Sequence, residues 1–497
     1  MNSSRKKRLI IIYNVALFSY VKKIGIVADD SSEIRARVIL MHRFEDIIER
    51  EAIVLIYNGS ENNPVNKIIG ILRKGSGKNE LLNPSRYRPD IAYAKVGGEP
   101  SSSREIYSFE IIPIGSFKSE EKLVPNRYII QPRSPVYLFE ENDNPCELIK
   151  NSCKELSYLD AYLEGHRNWK VPADAFYIPY HVGVFGTTGT GKSWFTRKVL
   201  IPFYLKNKYK VLVLDWSGVD YVPYFKDNVI KISQIKMENQ AIFDYFSDLT
   251  DNFYDNKNLE SAIEDFVSRW HERIKGKDEY QVKAILENHL SEFEVDSRFR
   301  PAYERACRRA LSRITPEQIS YLMGNLELIS IFDLLAQKGL VVLDMSGFSS
   351  KIKLSFFLTL SSHLHNTMLK GIDLYLALII DEAPQYCPFN PDGIQKKVTE
   401  EIKNLAALGR KHKLNLTLIA QGIAGEIGIN AAVRRNLNTN FYGRLHPLDA
   451  SSQGGARDWL EPYGITADYL LTLEDGRFYF AGVMNPSPVP LLITYDI

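Results

Sequence analysis

Short apolar runs separated by turn residues dominate the first 140 residues of the chain. The runs are rich in Ile, Val and Tyr and lie at 24–27, 34–40, 52–57, 67–72, 106–114, 128–130 and 136–139. Many short strands at this spacing predict a small β-barrel or sandwich, with 136–139 as the closing strand. The polar stretch 140–144 predicts a domain boundary.

From about residue 145 the apolar pattern changes. Near-continuous apolar runs at 182–185, 211–214, 340–343, 376–380 and 414–419 alternate with amphipathic segments of helical length. Strands that are buried on both faces need such runs, so the pattern predicts a parallel α/β sheet. Between the second and third runs, apolar residues at three- and four-residue spacing predict a helical insertion.

A glycine-rich loop follows the first of these strands and satisfies G-x-x-x-x-G-K-[ST] over residues 186–193. Such a loop turns backbone N–H groups toward phosphate oxygens, and the following helix adds its positive N-terminus. We expect Lys192 to contact the β- and γ-phosphates of ATP and the Ser193 hydroxyl to bind Mg²⁺. The predicted nucleotide-binding residues are Gly186, Thr187, Thr188, Gly189, Thr190, Gly191, Lys192, Ser193 and Trp194.

Two acidic residues end the apolar run at 376–380, where ligands bind in parallel sheets. Asp381 is predicted to hold Mg²⁺, and Glu382 to polarise the water that attacks the γ-phosphate. Gln421, just after another strand, is either a γ-phosphate contact or an ordinary loop residue. Asp215 and Asp344 also end strands; without the glycine-rich loop they would favour a dimetal or carboxylate-pair hydrolase.

These motifs predict an α/β P-loop (RecA-like) ATPase domain with a helical insertion, preceded by an N-terminal β-barrel. The barrel is expected over 1–142. The ATPase core is expected over 143–234 and again over 336–497, where it ends in a short C-terminal tail. The insertion is expected over 235–335.

The charge balance limits where a polyanion could bind. The chain has 497 residues with 62 Lys and Arg against 60 Asp and Glu, which excludes a uniformly basic nucleic-acid binder. One local cluster is basic, since residues 298–313 hold six Arg and one acidic residue. Its members Arg305, Arg308, Arg309 and Arg313 share a helix face. They could contact DNA phosphates, pair with nearby acidic residues, or lie at a subunit interface.

Other features bear on the cell compartment. No Cys pair has C-x-x-C spacing, so we expect reduced thiols and a cytoplasmic protein without a zinc site. The apolar run at 9–21 follows a basic stretch like an export signal, but Asn14 interrupts it, and a β-strand is the favoured interpretation. No run approaches about 18 uninterrupted apolar residues, so no membrane-spanning helix is expected.

Taken in order, the motifs resemble the HerA family of archaeal ATPases, relatives of the FtsK-type DNA pumps. The resemblance covers the β-rich start, the P-loop, the strand end 381–384, the segment 408–421 and the closing stretch 477–483. It departs from the family after the second strand. There Asp-Trp-Ser-Gly-Val-Asp-Tyr (215–221) replaces the expected Asp-Pro-His-Gly-Glu-Tyr.

The resemblance implies a homo-hexameric, helicase-type ring that hydrolyses ATP and translocates double-stranded DNA. It also implies a NurA-like nuclease docked at the barrel side and a role in DNA end resection and repair. Arg410 of one subunit would then complete the ATP site of its neighbour, and Arg434 and Arg435 are the next candidates for this role. Gln421 would sense the γ-phosphate. Two alternatives stay open: a protein-remodelling ring ATPase, and an ATPase scaffold of a defence or conjugation complex.

Overall fold

A computed structural model of the chain describes residues 22–83, 89–99, 102, 105–117, 123–425, 427–451 and 454–496. The predicted strand within 9–21 lies outside these residues. The chain divides into two compact units. The first comprises Met1–Tyr177 with Thr439–Ile497, and the second is Ile178–Asn438.

The first unit contains a closed antiparallel barrel, as the apolar pattern predicted. Its strands follow the order β1-β2-β5-β4-β3-β6, and β6 pairs with both β1 and β3, which closes it. Alternate apolar side chains such as Ile24, Val38 and Val54 are buried in its interior. The strands are β1 (Lys22–Val27), β2 (Ala36–Leu40), β3 (Ile53–Gly59), β4 (Pro64–Asn79), β5 (Glu105–Phe117) and β6 (Pro135–Leu138).

The predicted strand at 128–130 is wrong. Two asparagine side chains bind the backbone there instead of a neighbouring strand. Asn58 donates to the Ile129 carbonyl at 3.1 Å and accepts from the Gln131 N–H at 2.8 Å. Asn126 donates to the Tyr128 carbonyl at 2.8 Å. Because these two side chains satisfy backbone groups of the segment, it does not join a ladder.

The rest of the N-terminal part of this unit is short helices and a hairpin. The α-helices are α1 (Pro89–Lys95) and α2 (Cys146–Ile149), and the strands β7 (Leu156–Leu163) and β8 (Lys170–Asp174) pair antiparallel. Single 3₁₀ turns lie at His42–Phe44, Glu80–Leu82 and Lys150–Ser152, and another spans Ala175–Tyr180.

The second unit is built on a parallel sheet with the order β11-β12-β10-β13-β14-β9. Its strands are fully apolar or nearly so, because helices cover both faces, and every predicted run became a strand. They are β9 (Val182–Phe185), β10 (Lys210–Asp215), β11 (Val229–Lys231), β12 (Leu340–Asp344), β13 (Leu376–Ile380) and β14 (Leu414–Ala420). All neighbouring pairs run parallel, so their carboxyl ends meet at one edge.

Two helical groups complete this unit. Around the sheet are α3 (Lys192–Phe195), a π-helical turn at Thr196–Leu200 and α4 (Ile201–Lys206), followed after the insertion by α11 (Leu328–Lys338), α12 (Ser350–Leu369), α13 (Gly393–Gly409) and α14 (Ala431–Arg434). The predicted insertion holds α5 (Asn239–Leu249), α6 (Lys257–Ser268), α7 (Trp270–Ile274), α8 (Glu279–Glu292), α9 (Arg300–Arg313) and α10 (Pro316–Ser320). Short 3₁₀ turns lie at Lys226–Asn228, Ile232–Gln234, Asn252–Asp255 and Ala383–Gln385.

The insertion has a hydrophobic core of its own. Leu259, Phe266, Trp270, Leu286 and Tyr303 are among its fully buried side chains. Each helix contributes apolar residues three or four positions apart, which is why the pattern predicted helices here. The insertion is therefore a packed helical module.

The C-terminal segment adds a second antiparallel sheet to the first unit. In this sheet the order is β15-β16-β17-β7-β8, with β15 (Thr439–Tyr442), β16 (Arg477–Gly482) and β17 (Leu491–Thr494). The remaining helices are α15 (Pro447–Ser451), α16 (Arg457–Leu460) and α17 (Ala467–Leu471), with a 3₁₀ turn at Glu461–Tyr463.

A buried ion pair ties this segment to the barrel. Arg73 in β4 is 0% exposed and its Nη2 lies 2.8 Å from Glu51 Oε2. The same guanidinium donates to the carbonyls of Tyr463 and Pro490, each at 2.7 Å, and Tyr479 donates to Glu51 at 3.1 Å. Every charge in the cluster thus has several partners, which a buried ion pair requires.

Among the described residues, no helix is long and apolar enough to cross a membrane. The four cysteines are free thiols.

Candidate active site

A cavity of about 720 Å³ lies at the carboxyl ends of β9, β10, β13 and β14. Parallel sheets place their ligand sites at this edge. The cavity is lined from four segments: the glycine-rich loop and the start of α3, the loop after β10, the residues after β13, and those after β14. Its polar lining is Thr188, Lys192, Ser193, Arg197, Asp220, Asp381, Glu382, Gln385 and Gln421, with Trp194 and Tyr224 at one side.

The glycine-rich loop has the backbone that the motif predicted. Gly189 and Gly191 have φ of 84° and 93°, a left-handed conformation that favours glycine. A Cβ on Gly186 would lie 3.1 Å from the Thr190 side chain, a tight contact that would require this side chain to shift. Thr190 Oγ1 donates to the Thr187 carbonyl at 2.6 Å and holds the curl.

Lys192 lies inside this loop. Its Nζ donates to the Thr187 carbonyl at 3.0 Å. Burial lowers the pKa of the Lys192 ammonium, while the negative charges of Asp381, Asp220 and Glu382 raise it. The ammonium therefore lies between the loop and a group of carboxylates, where an incoming phosphate would meet it.

The two acidic residues after β13 differ in environment. Asp381 is 5% exposed, and its Oδ1 accepts the Glu382 N–H at 2.9 Å. Burial raises the pKa of the Asp381 carboxyl to about 7, and the charge of Asp220 adds to the shift. Glu382 is half-buried, and burial followed by Asp220 also raises its pKa. Glu382 has φ 49° and ψ 45°, a left-handed conformation that is uncommon for residues other than glycine and often marks functional sites.

Asp220 is a cavity residue that the sequence patterns did not identify. It lies in the loop after β10, and its charge acts on Lys192, Asp381 and Glu382 alike. No motif spacing marks it. The only available signal is its place two residues after Gly218, in the stretch where the chain departs from the Asp-Pro-His-Gly-Glu-Tyr pattern.

Asp215, at the end of β10, holds that loop in place. Its Oδ2 accepts the N–H groups of Tyr221 and Val222 at 2.8 and 3.1 Å, and its Oδ1 accepts the Gly218 N–H at 2.9 Å. Gly218 has φ 75°, and a Cβ there would lie 2.8 Å from Asp344 Oδ1. Since both Asp215 oxygens bind backbone, this carboxylate has a structural role, and the carboxylate-pair hydrolase has no support from it.

Lys353 in α12 is a second residue that the sequence patterns missed. It is 8% exposed, and its Nζ donates to the Trp216 carbonyl at 2.8 Å and lies 4.5 Å from the centre of the Trp216 ring. Burial lowers the pKa of the Lys353 ammonium, and Glu382 opposes that shift. Trp216, the unusual residue after the second strand, thus covers a buried positive charge whose field acts on Glu382.

Gln421 lies against the glycine-rich loop. Its Oε1 accepts from the Thr188 hydroxyl at 3.1 Å. The side chain is therefore within reach of the loop that would hold the phosphates, as expected for either a sensor or a loop-stabilising residue.

An aromatic wall bounds one side of the cavity. Trp194 and Tyr224 have ring centroids 5.9 Å apart in an edge arrangement, and both are exposed. The Arg197 guanidinium lies 3.7 Å from the Tyr224 centroid and 4.8 Å from that of Trp194, and it donates to the Asp220 carbonyl. Arg197 therefore stiffens this wall.

The three candidate arginines do not line the cavity within one chain. Arg410 follows α13 on the surface, with its guanidinium 5.2 Å from the Tyr180 ring centroid. Arg434 and Arg435 lie at the end of α14. Among the cavity residues that the structure describes, Arg197 is the only arginine.

His181, immediately before β9, fixes the strand that leads into the loop. Its Nε2 donates to the Ala406 carbonyl at 2.9 Å, and its Nδ1 accepts the Leu416 N–H at 3.1 Å. The ring is 1% exposed, and burial lowers the pKa of His181 to about 4. A neutral imidazole thus links α13 and β14 to the P-loop strand.

The residues at the cavity fit a magnesium ion that shares its coordination with phosphates. No cluster of three or more His, Cys, Asp or Glu in the described part of the chain could hold a metal by itself. Mg²⁺ usually keeps several waters and takes one or two protein ligands together with substrate phosphates. Asp381 and Ser193 provide that number, and a bound cation would offset the burial and the neighbouring charge of Asp220 that raise the pKa of Asp381.

Part of the chain matches the model of a known protein family. Residues 162–364 match the model of the family described as the central domain of helicase HerA. This stretch is similar to the HerA central domain. Together with the strand order and the P-loop, it makes the second unit an α/β P-loop ATPase, and the predicted resemblance is confirmed. No protein with curated function is detectably similar in sequence to this chain.

The chain also has distant structural likenesses. VirB4 of Thermoanaerobacter pseudethanolicus is 14% identical, with a TM-score of 0.44 over 69% of this chain and 96% of that chain. The plasmid coupling protein TrwB in complex with ADPNP is 14% identical, with a TM-score of 0.42 over 64% and 86%. The genome packaging NTPase B204 of Sulfolobus turreted icosahedral virus 2, in complex with ATP-gammaS, is 13% identical, with a TM-score of 0.33 over 64% and 98%.

Proposed function

We propose that this chain is an ATP-driven motor that translocates double-stranded DNA as a homo-hexameric ring. One observation carries the proposal. The cavity brings Lys192 and the phosphate-binding loop, which lie in the stretch similar to the HerA central domain, together with Asp381 and Glu382. This is the set that hydrolysis of a γ-phosphate needs.

Each side chain has a role in that reaction. The loop amides and Lys192 hold the phosphates, and Glu382 accepts the proton of the attacking water. Ser193 and Asp381 would hold Mg²⁺, which neutralises charge that develops on the phosphate oxygens. Gln421, through its bond to Thr188, would report the presence of the γ-phosphate to the loop. The exposed ring of Trp194 would contact the nucleotide at the open side of the cavity.

A ring of subunits would supply an arginine to the γ-phosphate site that the described cavity of one chain does not offer. A cation beside the γ-phosphate accelerates such hydrolysis by about 10³-fold or more. Arg197 is the only arginine lining the described cavity, and its guanidinium is held by Asp220 and two rings. We therefore assign this role to Arg410 of an adjacent subunit, because it is exposed and has no carboxylate partner among the described residues.

The test is ATP hydrolysis with and without duplex DNA, together with the mass in solution. We expect the wild type to be a hexamer whose hydrolysis duplex DNA stimulates. Glu382→Gln should bind ATP but lose hydrolysis by at least about 10²-fold, the lower range for a general base. Glu400→Gln, which removes an exposed carboxylate paired with Lys403, is the matched control. A monomer without DNA stimulation would overturn the proposal, and stimulation by unfolded protein instead would identify a remodelling ATPase.

We further propose that the barrel docks a NurA-like nuclease, so that the pair acts in DNA end resection and repair. Exposed apolar side chains on the barrel unit support a docking role, since Ile34 is 63% and Ile47 is 66% exposed. Ile34→Asp with Ile47→Asp should abolish co-purification with a NurA-type nuclease. Ile372→Asp, at a 51% exposed position in the other unit, should leave it intact. Equal capture by both variants would contradict this docking site.

A further inference from the structure

The helical insertion presents arginines on the outer face of one helix. In α9, Tyr303, Ala306, Cys307 and Ala310 are buried in the insertion core. The opposite face is exposed and carries Arg305, Arg308, Arg309 and Arg313. The shared face predicted from helical spacing is therefore present, and it points away from the module that holds it.

The basic residues of this region divide into two groups. Arg298, Arg300 and Arg313 pair with Asp296, Glu304 and Asp251, at 3.0, 3.1 and 2.7 Å. Arg305, Arg308 and Arg309 have no carboxylate within 4 Å among the described residues. We call these last three residues the arginine face. Pairing with nearby acids thus explains half of the cluster and leaves the arginine face unexplained.

Two side chains of the arginine face have contacts that fix them on the exposed side of α9. The Arg309 guanidinium lies 4.0 Å from the Tyr254 ring centroid, and Arg308 Nε donates to the Glu304 carbonyl at 3.4 Å. Like charges three and four residues apart on a helix repel each other and weaken the helix. A row of this kind is stabilised when a polyanion neutralises it.

We propose that the arginine face binds the phosphate backbone of double-stranded DNA. The helix rises about 1.5 Å per residue, so Arg305 and Arg309 lie about 6 Å apart along its axis. One DNA strand carries a phosphate about every 3.4 Å along the duplex axis, so two or three phosphates can be engaged at once. Arg also matches phosphate better than Lys does, through paired N–H groups. The inference rests on the proposed function, because it assumes that the protein binds duplex DNA. It adds to that function a DNA contact outside the ATPase cavity.

The experiment measures the salt dependence of duplex DNA binding by the full-length protein. Each phosphate contact contributes about 0.9 to the slope of log K against log salt concentration. Arg305→Ala with Arg308→Ala and Arg309→Ala should lower the slope by about 2 to 3. Replacing the same three residues by Lys should keep most of the slope, because backbone contacts need mainly charge. Since none of the three lines the cavity, hydrolysis of ATP without DNA should stay at the wild-type rate.

A control separates the local site from net charge. Arg167→Ala, Lys170→Ala and Arg457→Ala together remove three exposed charges that have carboxylate partners, and they should leave the slope unchanged. If the wild type binds duplex DNA and the arginine-face variant keeps its slope, the inference is wrong while the proposed motor stands. If the wild type does not bind duplex DNA, both fail. If the arginine-face variant lost binding to an acidic protein while its salt slope for DNA stayed unchanged, the arginine face would be a protein-binding surface. That result would also overturn the inference.

Discussion

His181 allows a quantitative prediction about acid stability. Its two ring nitrogens are both used, one donating to Ala406 and one accepting from Leu416, so the buried ring has to be neutral. Protonation would turn Nδ1 into a second donor that faces the Leu416 N–H. The perturbation that tests this arrangement is His181→Gln, which can keep the bond to Ala406 and has no group that titrates.

The size of the effect follows from the pKa values. His181 shifts from 6.5 to about 4 on folding, and each unit corresponds to about 1.4 kcal/mol, so the full effect is roughly 3 kcal/mol. The pKa is lowered in the folded state, so the stability is present above pH 6.5 and is lost as the pH falls toward 4. The loss should reach about 2 kcal/mol at pH 5. At pH 7.5 the variant should be less stable by about 1 kcal/mol, the value of one lost hydrogen bond.

The assay is amide hydrogen exchange of β14 and β9, measured from pH 7.5 to pH 5 and corrected for intrinsic rates. We expect the wild type to be more protected than His181→Gln at pH 7.5 and less protected below about pH 6. Asp381 titrates in the opposite sense over this range, because its pKa is raised to about 7. Its contribution is common to both proteins and cancels in their difference. Strand β3, in the other unit, is the internal reference.

A difference between the two proteins that does not change with pH would refute the argument. It would mean that the imidazole is solvated or that Nδ1 does not accept the Leu416 amide. A wild type that gains protection as the pH falls, relative to the variant, would mean that the ring is charged in the folded state.

Three further outcomes are expected. Gly218→Ala should destabilise the protein by about 2 kcal/mol or more, because the backbone there is left-handed and the new Cβ would lie 2.8 Å from Asp344 Oδ1. It should also weaken ATP binding, and thermal shift and nucleotide titration check the two effects. Arg73→Met should cost about 3 to 5 kcal/mol by leaving Glu51 buried without its partner, seen as earlier thermal unfolding, while Arg73→Met with Glu51→Leu should recover much of the loss. Arg410→Ala should abolish hydrolysis but not ATP binding, and mixing it with Lys192→Ala should restore activity; no restoration would contradict a role across subunits.

Several parts of the molecule follow from local sequence alone. The apolar runs of the parallel sheet became strands because burial on both faces demands such runs wherever they lie. The glycine-rich loop and the acids at the end of β13 could be assigned because their chemistry depends on residues that are adjacent in the chain. The prediction of a strand at 128–130 failed because an apolar run does not show which groups bind its backbone. Here Asn58, 71 residues away from Ile129, binds it.

At Thr315, one hydrogen bond follows from the local sequence and another is decided by a tertiary contact. A Thr that precedes Pro316 at the first helical position predicts an N-cap, and its hydroxyl accepts the Gln318 N–H at 3.3 Å. Gln318 does not reach back to complete a capping box, because its side-chain oxygen accepts from Tyr245 of α5 instead. A tertiary partner displaced the local one.

The sequence by itself determined the glycine-rich loop, the two acidic residues that end β13, the β-rich character of the first unit and the helical character of the insertion, since these depend on periodicity and on neighbours in the chain. Only the tertiary structure decided that the charge of Asp220 acts on Asp381 and Glu382, that Lys353 acts on Glu382, and which arginines of α9 lack acidic partners. Such contacts join segments that are far apart along the chain. The packing of the whole sheet and its helices determines these contacts, so the spacing of residues along the chain does not predict them.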